Sequence, residues 1–208
     1  MDAGSSSYAF TFDGKDALAG LVKAEYLRRG GEHHRQVVAL GDGAAWIWTM
    51  AEELYPHATH IVDIYHAREH LTDLAAHLAF ITPDPAQWLG DRSAEPDAGD
   101  IDAIIEAATA YPLAGVRATD LERKLGYFRN NAHRMRYQHF RDLGIFIGSG
   151  AIEGGIKAIV VQRAKQSGMH WTTEGAADII ALRCQHASGR WDELWPASAN
   201  APAGLRAV

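Results

Sequence analysis

The chain has 208 residues, 47% of them apolar and 22% charged, which fits one sizeable globular domain and excludes a low-complexity polymer. A single cysteine, Cys184, excludes an internal disulfide framework and suits a reducing compartment. No apolar run approaches the ~18 residues of a membrane span. The N-terminus MDAGSSSYAF lacks the basic and apolar regions of a signal peptide, so the expected compartment is the cytoplasm, with no membrane partner.

In chain order, SYAFTF (7–12) is aromatic and β-branched, ends at Asp13-Gly14 and predicts a strand. KDALAGLVKAEYLRR (15–29) spaces Leu18, Leu21, Val22 and Tyr26 at helical intervals and stops at Gly30-Gly31. VVAL (37–40) predicts a buried strand, AAWIWTMAEELY (44–55) a helix closed by Pro56, and HIVDIY (60–65) a strand that opens into a helix reaching about Ala79. This alternation predicts an α/β layer of parallel strands. Residues 81–98 carry Pro83, Pro85, Gly90 and Pro96 and predict a loop or broken helix. Beyond them the pattern is helical: 100–111, a long helix from about Thr119 to Arg141, a Gly-rich turn in GIFIGSGAIEGGIK (144–157) leading into a helix to about Lys165, and a last helix over 173–187. The expected organisation is an α/β part over 1–80, helices over 81–195 and a disordered tail over 196–208. Trp46/Trp48 and Trp191/Trp195 read as core or lid packing.

Charge is unevenly spread. The net charge is −6, yet residues 121–170 hold 9 Lys/Arg against 3 Asp/Glu, whereas residues 1–120 hold 8 against 19. A basic segment beside an acidic body is a candidate phosphate-binding strip; the alternative is a solvated helix face.

Residues that carry chemistry fall at element boundaries. Asp42 and Asp63 each end an apolar run, and functional groups of open α/β sheets collect at the carboxyl ends of strands. Each aspartate has two readings: a ligand for a hard divalent cation, or the N-cap of the helix that follows. His66-Ala67-Arg68-Glu69-His70 fits H-x-x-E-H, a weak zinc-site pattern that leaves open a metal-dependent hydrolase built on His66, Glu69 and His70. Glu153 stands in the glycine-rich GSGAIEGG, close to the basic strip, where Gly148, Gly150, Gly154 and Gly155 permit close backbone approach.

The segments LGDGAAWIW, IVDIYHAREHL, YFRNNAHRMRY, GIFIGSGAIEGGIK, QRAKQSGMHWT and ALRCQHASGRWDELW, in that order over residues 36–195, resemble the C-terminal part of bacterial insertion-sequence transposases of the ISKra group. The resemblance implies an RNase H-like fold and Asp-Asp-Glu chemistry with two Mg²⁺ or Mn²⁺ ions, one activating a water or 3′-hydroxyl and the other stabilising the leaving oxygen. Asp42 then matches the second catalytic aspartate and Glu153 the catalytic glutamate, both as metal ligands. Asp63 and His66 match an accessory pair that orients the site or contacts the scissile phosphate. Arg134, Arg136, Lys157, Arg163 and Lys165 become candidates for contact with the DNA backbone. Ile156 departs from relatives, which often carry Cys there.

The resemblance also implies a gap. SYAFTF aligns with the family's third strand, and Asp13, which precedes Asp42, runs directly into a helix. The first catalytic aspartate and the first two strands are therefore expected to be missing, leaving a partial RNase H-like domain of three strands. The implied partners are transposon-end and target DNA, with self-association or pairing with a full-length transposase through the uncovered sheet edge. A non-catalytic DNA-binding or oligomerisation remnant is the other reading of the same residues.

Overall fold

The structure is a computed structural model that describes residues 6–164 and 168–195; nothing is drawn from the side chains of Ala151 and Ile152. Lys165 and the expected tail over 196–208 lie outside the described residues. The described elements run α1 (Lys15–Arg28), β1 (Val38–Gly41), α2 (Ala45–Leu54), β2 (Thr59–Val62), α3 (Ile64–Leu78), α4 (Pro85–Arg92), α5 (Glu95–Ala98), α6 (Ile101–Thr109), α7 (Val116–Asn131), α8 (Tyr137–Asp142), α9 (Gly150–Ile156), α10 (Gln162–Ala164) and α11 (Thr173–Ala187). The chain is mixed α/β and mostly helical, and it forms two compact units, His33–Gly150 and the pair Met1–Glu32 with Ala151–Val208.

The central unit, His33–Gly150, is organised around β1 and β2. These strands pair in parallel, with Val38 opposite Thr59, Ala39 opposite His60, Leu40 opposite Ile61 and Gly41 opposite Val62. Ile61 and Val62 are fully buried, as expected of a strand covered on both faces. α3 supplies the spine of the core through Ile64, Ala67, Leu71, Leu74, Ala75 and Leu78, one apolar stripe at helical spacing. Against it pack Ile101, Ile104 and Ala108 of α6 and Leu121, Leu125 and Phe128 of α7. Two of the three prolines in 81–98 start helices. Pro85 and Pro96 occupy the first turns of α4 and α5, where a missing N–H costs nothing, and the Asp84 side chain caps α4 through Gln87 N.

The helix expected over 119–141 is broken. α7 ends at Asn131, a 3-10 turn covers Ala132–Arg134, and α8 begins at Tyr137. Met135 and Tyr137 are both fully buried. Residues two apart cannot share one helix face, so the chain turns there, with Tyr137 N bonded to Met135 O at 2.8 Å.

Two strands, not the expected three, are present among the described residues. Residues 7–12 form none. A strand needs a ladder partner, and Tyr8 N donates instead to Ser188 Oγ at 2.9 Å, while Phe10 and Phe12 pack edge to face. This segment belongs to the second unit, whose core is the trio Ile159, Ile180 and Cys184. α1 buries no residue there. It is held by Glu25, which bonds Arg28, Arg29, Arg190 and Ser7; the Arg28 guanidinium and its companions hold this carboxyl well below the usual range. α9 continues through a π-helical turn, Lys157–Val161, into α10. Arg183 donates to the Ala158 and Ile159 carbonyls that this widened turn exposes.

Because α3 is the spine of the central core, Leu74→Ala is expected to lower stability by about 2–5 kcal/mol in urea denaturation. Leu21→Ala on the exposed face of α1 should stay within about 0.5 kcal/mol of wild type. Equal effects of the two would contradict this placement of the core.

Candidate functional site

Asp42 and Asp63 directly follow Gly41 and Val62, which are paired in register, so both aspartates leave the sheet at its carboxyl edge. Their environments differ. Asp42 is exposed, and its Oδ1 accepts from Ala44 N at 2.8 Å, closing the turn into α2. That turn passes through Gly43, at φ +98°, where a Cβ would stand 2.6 Å from the Tyr127 ring. The Tyr127 hydroxyl donates to the Asp42 carbonyl at 2.9 Å, and its ring lies on the His70 ring with centroids 3.5 Å apart. Burial, before the nearby Asp42, Asp63 and Glu69 charges, pushes the Tyr127 phenol up. Tyr127 is thus a neutral donor that ties α7 to the Asp42 turn and to α3.

Asp63 is 1% exposed, and both its oxygens are used. Oδ1 accepts from Tyr65 N at 2.7 Å, capping α3, and Oδ2 accepts from Ser149 N at 2.6 Å. Its own N–H donates to Gly41 O, and the next N–H, of Ile64, donates to Ile147 O. Gly148 lies flat against Tyr65; a Cβ there would meet the ring at 2.9 Å. The glycine of GIFIGSG thereby serves packing around Asp63.

The H-x-x-E-H residues do not converge on one point. His66 Nδ1 faces Glu69 Oε2 at 3.1 Å, whereas His70 is occupied by Tyr127. Burial pushes His70 below its ordinary value, with the Asp73 carboxylate partly offsetting it. Among the described residues no group of three His, Cys, Asp or Glu side chains is placed to hold a metal ion. The donor set of the central unit, with Asp63 spent on backbone N–H groups, does not fit a two-ion centre. Glu153 is exposed on α9, in the other unit.

The basic candidates also separate by use. Arg134 lies over Trp48, its guanidinium carbon 4.8 Å from the ring, and reaches Glu52 at 3.5 Å and Asn131 Oδ1 at 3.3 Å. It is a packing residue, with its side chain only 13% exposed. Arg163 sits over Trp171. Arg136 and Lys157 are exposed. Of the tryptophans, Trp48 is core and donates to Asn131 Oδ1 at 3.1 Å, whereas Trp46 is exposed and Trp191 packs edge-on with Trp195 at the surface.

Sequence reading passed over Tyr127 and Asn131, which sit in YFRNNAHRMRY among more conspicuous arginines. The available signal was Asn131, a polar residue three positions beyond Phe128 on the apolar stripe of α7.

Asp63→Ala strands two N–H groups at the joint and should cost roughly 2–5 kcal/mol, while Asp63→Asn, which keeps one acceptor, should cost about half as much in the same urea titration. A second expectation concerns pH. His60 and His70 both have depressed values with burial as the leading cause, so their neutral forms favour the folded state. Their contribution is full above the unfolded value near 6.5 and is lost as pH falls below it. Thermal stability should therefore drop between about pH 7 and 5, and His70→Gln should flatten that drop; an identical pH slope in the variant would contradict the burial account of His70.

The chain matches no protein-family model, no curated protein and no solved structure.

Proposed function

We propose that this chain is a DNA-binding protein of the insertion-sequence transposase kind, related to the ISKra group and built on part of an RNase H-like core. The observation that carries the reading is the ordered set of six motifs over residues 36–195. Geometry consistent with it is the parallel pair β1–β2 with Asp42 exposed at its carboxyl edge, at the point where the second catalytic aspartate belongs. DNA is the partner. Arg136 and Lys157 are the exposed cations best suited to phosphate contact, whereas Arg134 is held within the central unit by Trp48 and Glu52.

The chain by itself binds DNA without cutting or joining it. No residue matches the family's first catalytic aspartate, and phosphoryl transfer with two ions needs a carboxylate shared between them. Asp42 and Glu153 keep their family roles as ligands for Mg²⁺ or Mn²⁺ only in company with that residue. The hydrolase alternative at His66, Glu69 and His70 has less support, because the Tyr127 ring covers His70.

The test is DNA binding to a duplex by fluorescence anisotropy over roughly 50–200 mM salt, the range in which phosphate contacts show their salt dependence. Affinity should fall linearly on a log–log plot, and Arg136→Ala with Lys157→Ala should reduce the slope by about 2, one per contact. Asp42→Ala should not reduce it. Failure to bind at low salt would remove the DNA-binding reading, and metal-dependent strand transfer by the chain alone, lost in Asp42→Ala, would show that the missing carboxylate is not required.

A further inference from the structure

The two strands of the central unit are not equally covered. Ile61 and Val62 of β2 are fully buried, whereas every residue of β1 keeps some exposure and Val38 stands at 36%. In their parallel ladder Thr59 N donates to Val37 O at 2.9 Å and Asp63 N to Gly41 O at 2.7 Å. Backbone groups alternate sides along a strand, so positions 37, 39 and 41 face β2. Val38 and Leu40 therefore point their N–H and C=O groups the other way. Among the described residues no strand pairs with that side.

An open edge is ordinarily blunted by a charged side chain, a proline or a bulge. β1 reads Val-Ala-Leu-Gly and carries no charge and no proline, and its register with β2 is unbroken. Charge lies at its two ends instead. Arg35 comes just before the strand and Asp42 just after it, and both are exposed. Two such strands laid parallel would set like charge beside like. Laid antiparallel, they set the basic end of each beside the acidic end of the other. Two-fold symmetry produces the same arrangement, since an isologous contact puts one strand against itself reversed.

We infer that β1 is a dimerisation edge, which pairs antiparallel with β1 of a second copy of this chain to make one continuous sheet across a two-fold axis. Bonded pairs form only between positions whose N–H and C=O point outward. The register that keeps them within β1 sets Val38 of each copy opposite Leu40 of the other. Ala39 then faces Ala39 on the axis, a close non-bonded pair that its small side chain permits. Asp42 comes opposite Gln36, next to Arg35. The inference is independent of the DNA-binding reading and gives β1 a strand on both sides.

The full chain is examined by sedimentation velocity between about 5 and 500 µM, with amide exchange followed by NMR at both ends of that range. An edge of four residues a side is a small interface, so the dissociation constant should fall at roughly 10–100 µM. The Val38 and Leu40 amides should exchange at least about three-fold more slowly in the concentrated sample. Those of Ala39 and Gly41, bonded to β2, should be protected alike in both. Val38→Pro removes an outward donor and leaves the ladder to β2 untouched, so the melting temperature of the dilute chain should change little. It should raise the dissociation constant at least about ten-fold. Arg35→Glu, outside the strand, should raise it about three-fold by setting like charges side by side.

A chain that stays monomeric throughout, or that forms open oligomers, overturns the inference. So does a dimer that a folded Val38→Pro leaves intact, and so does one that Arg35→Glu does not weaken. Fast exchange of the Val38 and Leu40 amides in the concentrated sample overturns it whether or not Val38→Pro folds. Equal protection of those amides at both concentrations would mark a strand of the same chain on this edge, and overturns the second copy. None of these results bears on duplex binding through Arg136 and Lys157.

Discussion

The central unit is held at one carboxylate. Asp63 is buried between the end of β2 and the start of α3, and three of its polar atoms join different parts of the chain: its N–H binds Gly41 of β1, Oδ1 caps α3 through Tyr65, and Oδ2 reaches Ser149, 86 positions away. A buried carboxylate is tolerated only when its charge is fully hydrogen-bonded, and backbone N–H groups meet that demand here at 2.6 and 2.7 Å. The same three bonds fix where α3 begins, and α3 is the spine against which α6 and α7 pack. The Ile64–Ile147 backbone bond and the fit of Gly148 on Tyr65 reinforce the joint.

The Asp42 turn has a different kind of support. Here the carboxylate stays in solvent and the backbone is held, by Ala44 N from within the turn and by the Tyr127 hydroxyl from α7. Tyr127 is in turn seated on His70 of α3, so the three motifs LGDGAAWIW, IVDIYHAREHL and YFRNNAHRMRY meet around one ring. Two aspartates at equivalent strand ends thus divide the work: one is consumed by architecture, and the other is left exposed with its turn immobilised.

Parts of this were legible in advance. The helical spacing of α3 and α6, the short apolar runs of β1 and β2, and the positions of both aspartates at strand ends are local patterns, and local patterns survive in one dimension. The two readings held open for each aspartate also resolve locally in part, because Asp63 does cap the helix that follows it and Asp42 does bond the N–H two residues on. Over 81–98 the broken helix, one of the two forms expected there, is what stands in α4 and α5, because the same residue that breaks a helix interior is suited to its first turn.

By itself, then, the sequence determined the order of helices, the parallel pair of strands with an aspartate after each, and the concentration of positive charge in 121–170. Tertiary structure decided the rest, since each of those outcomes turns on a partner remote in the chain. Residues 7–12 have strand composition but no ladder to join, and Tyr8 N goes to Ser188. The helix over 119–141 breaks because the core takes both Met135 and Tyr137. Arg134 looks like its neighbour Arg136 in sequence, yet Trp48 and Glu52, more than 80 positions earlier, claim it for packing. Hydrogen bonds and burial are satisfied in three dimensions, and a residue's use follows from what stands across from it.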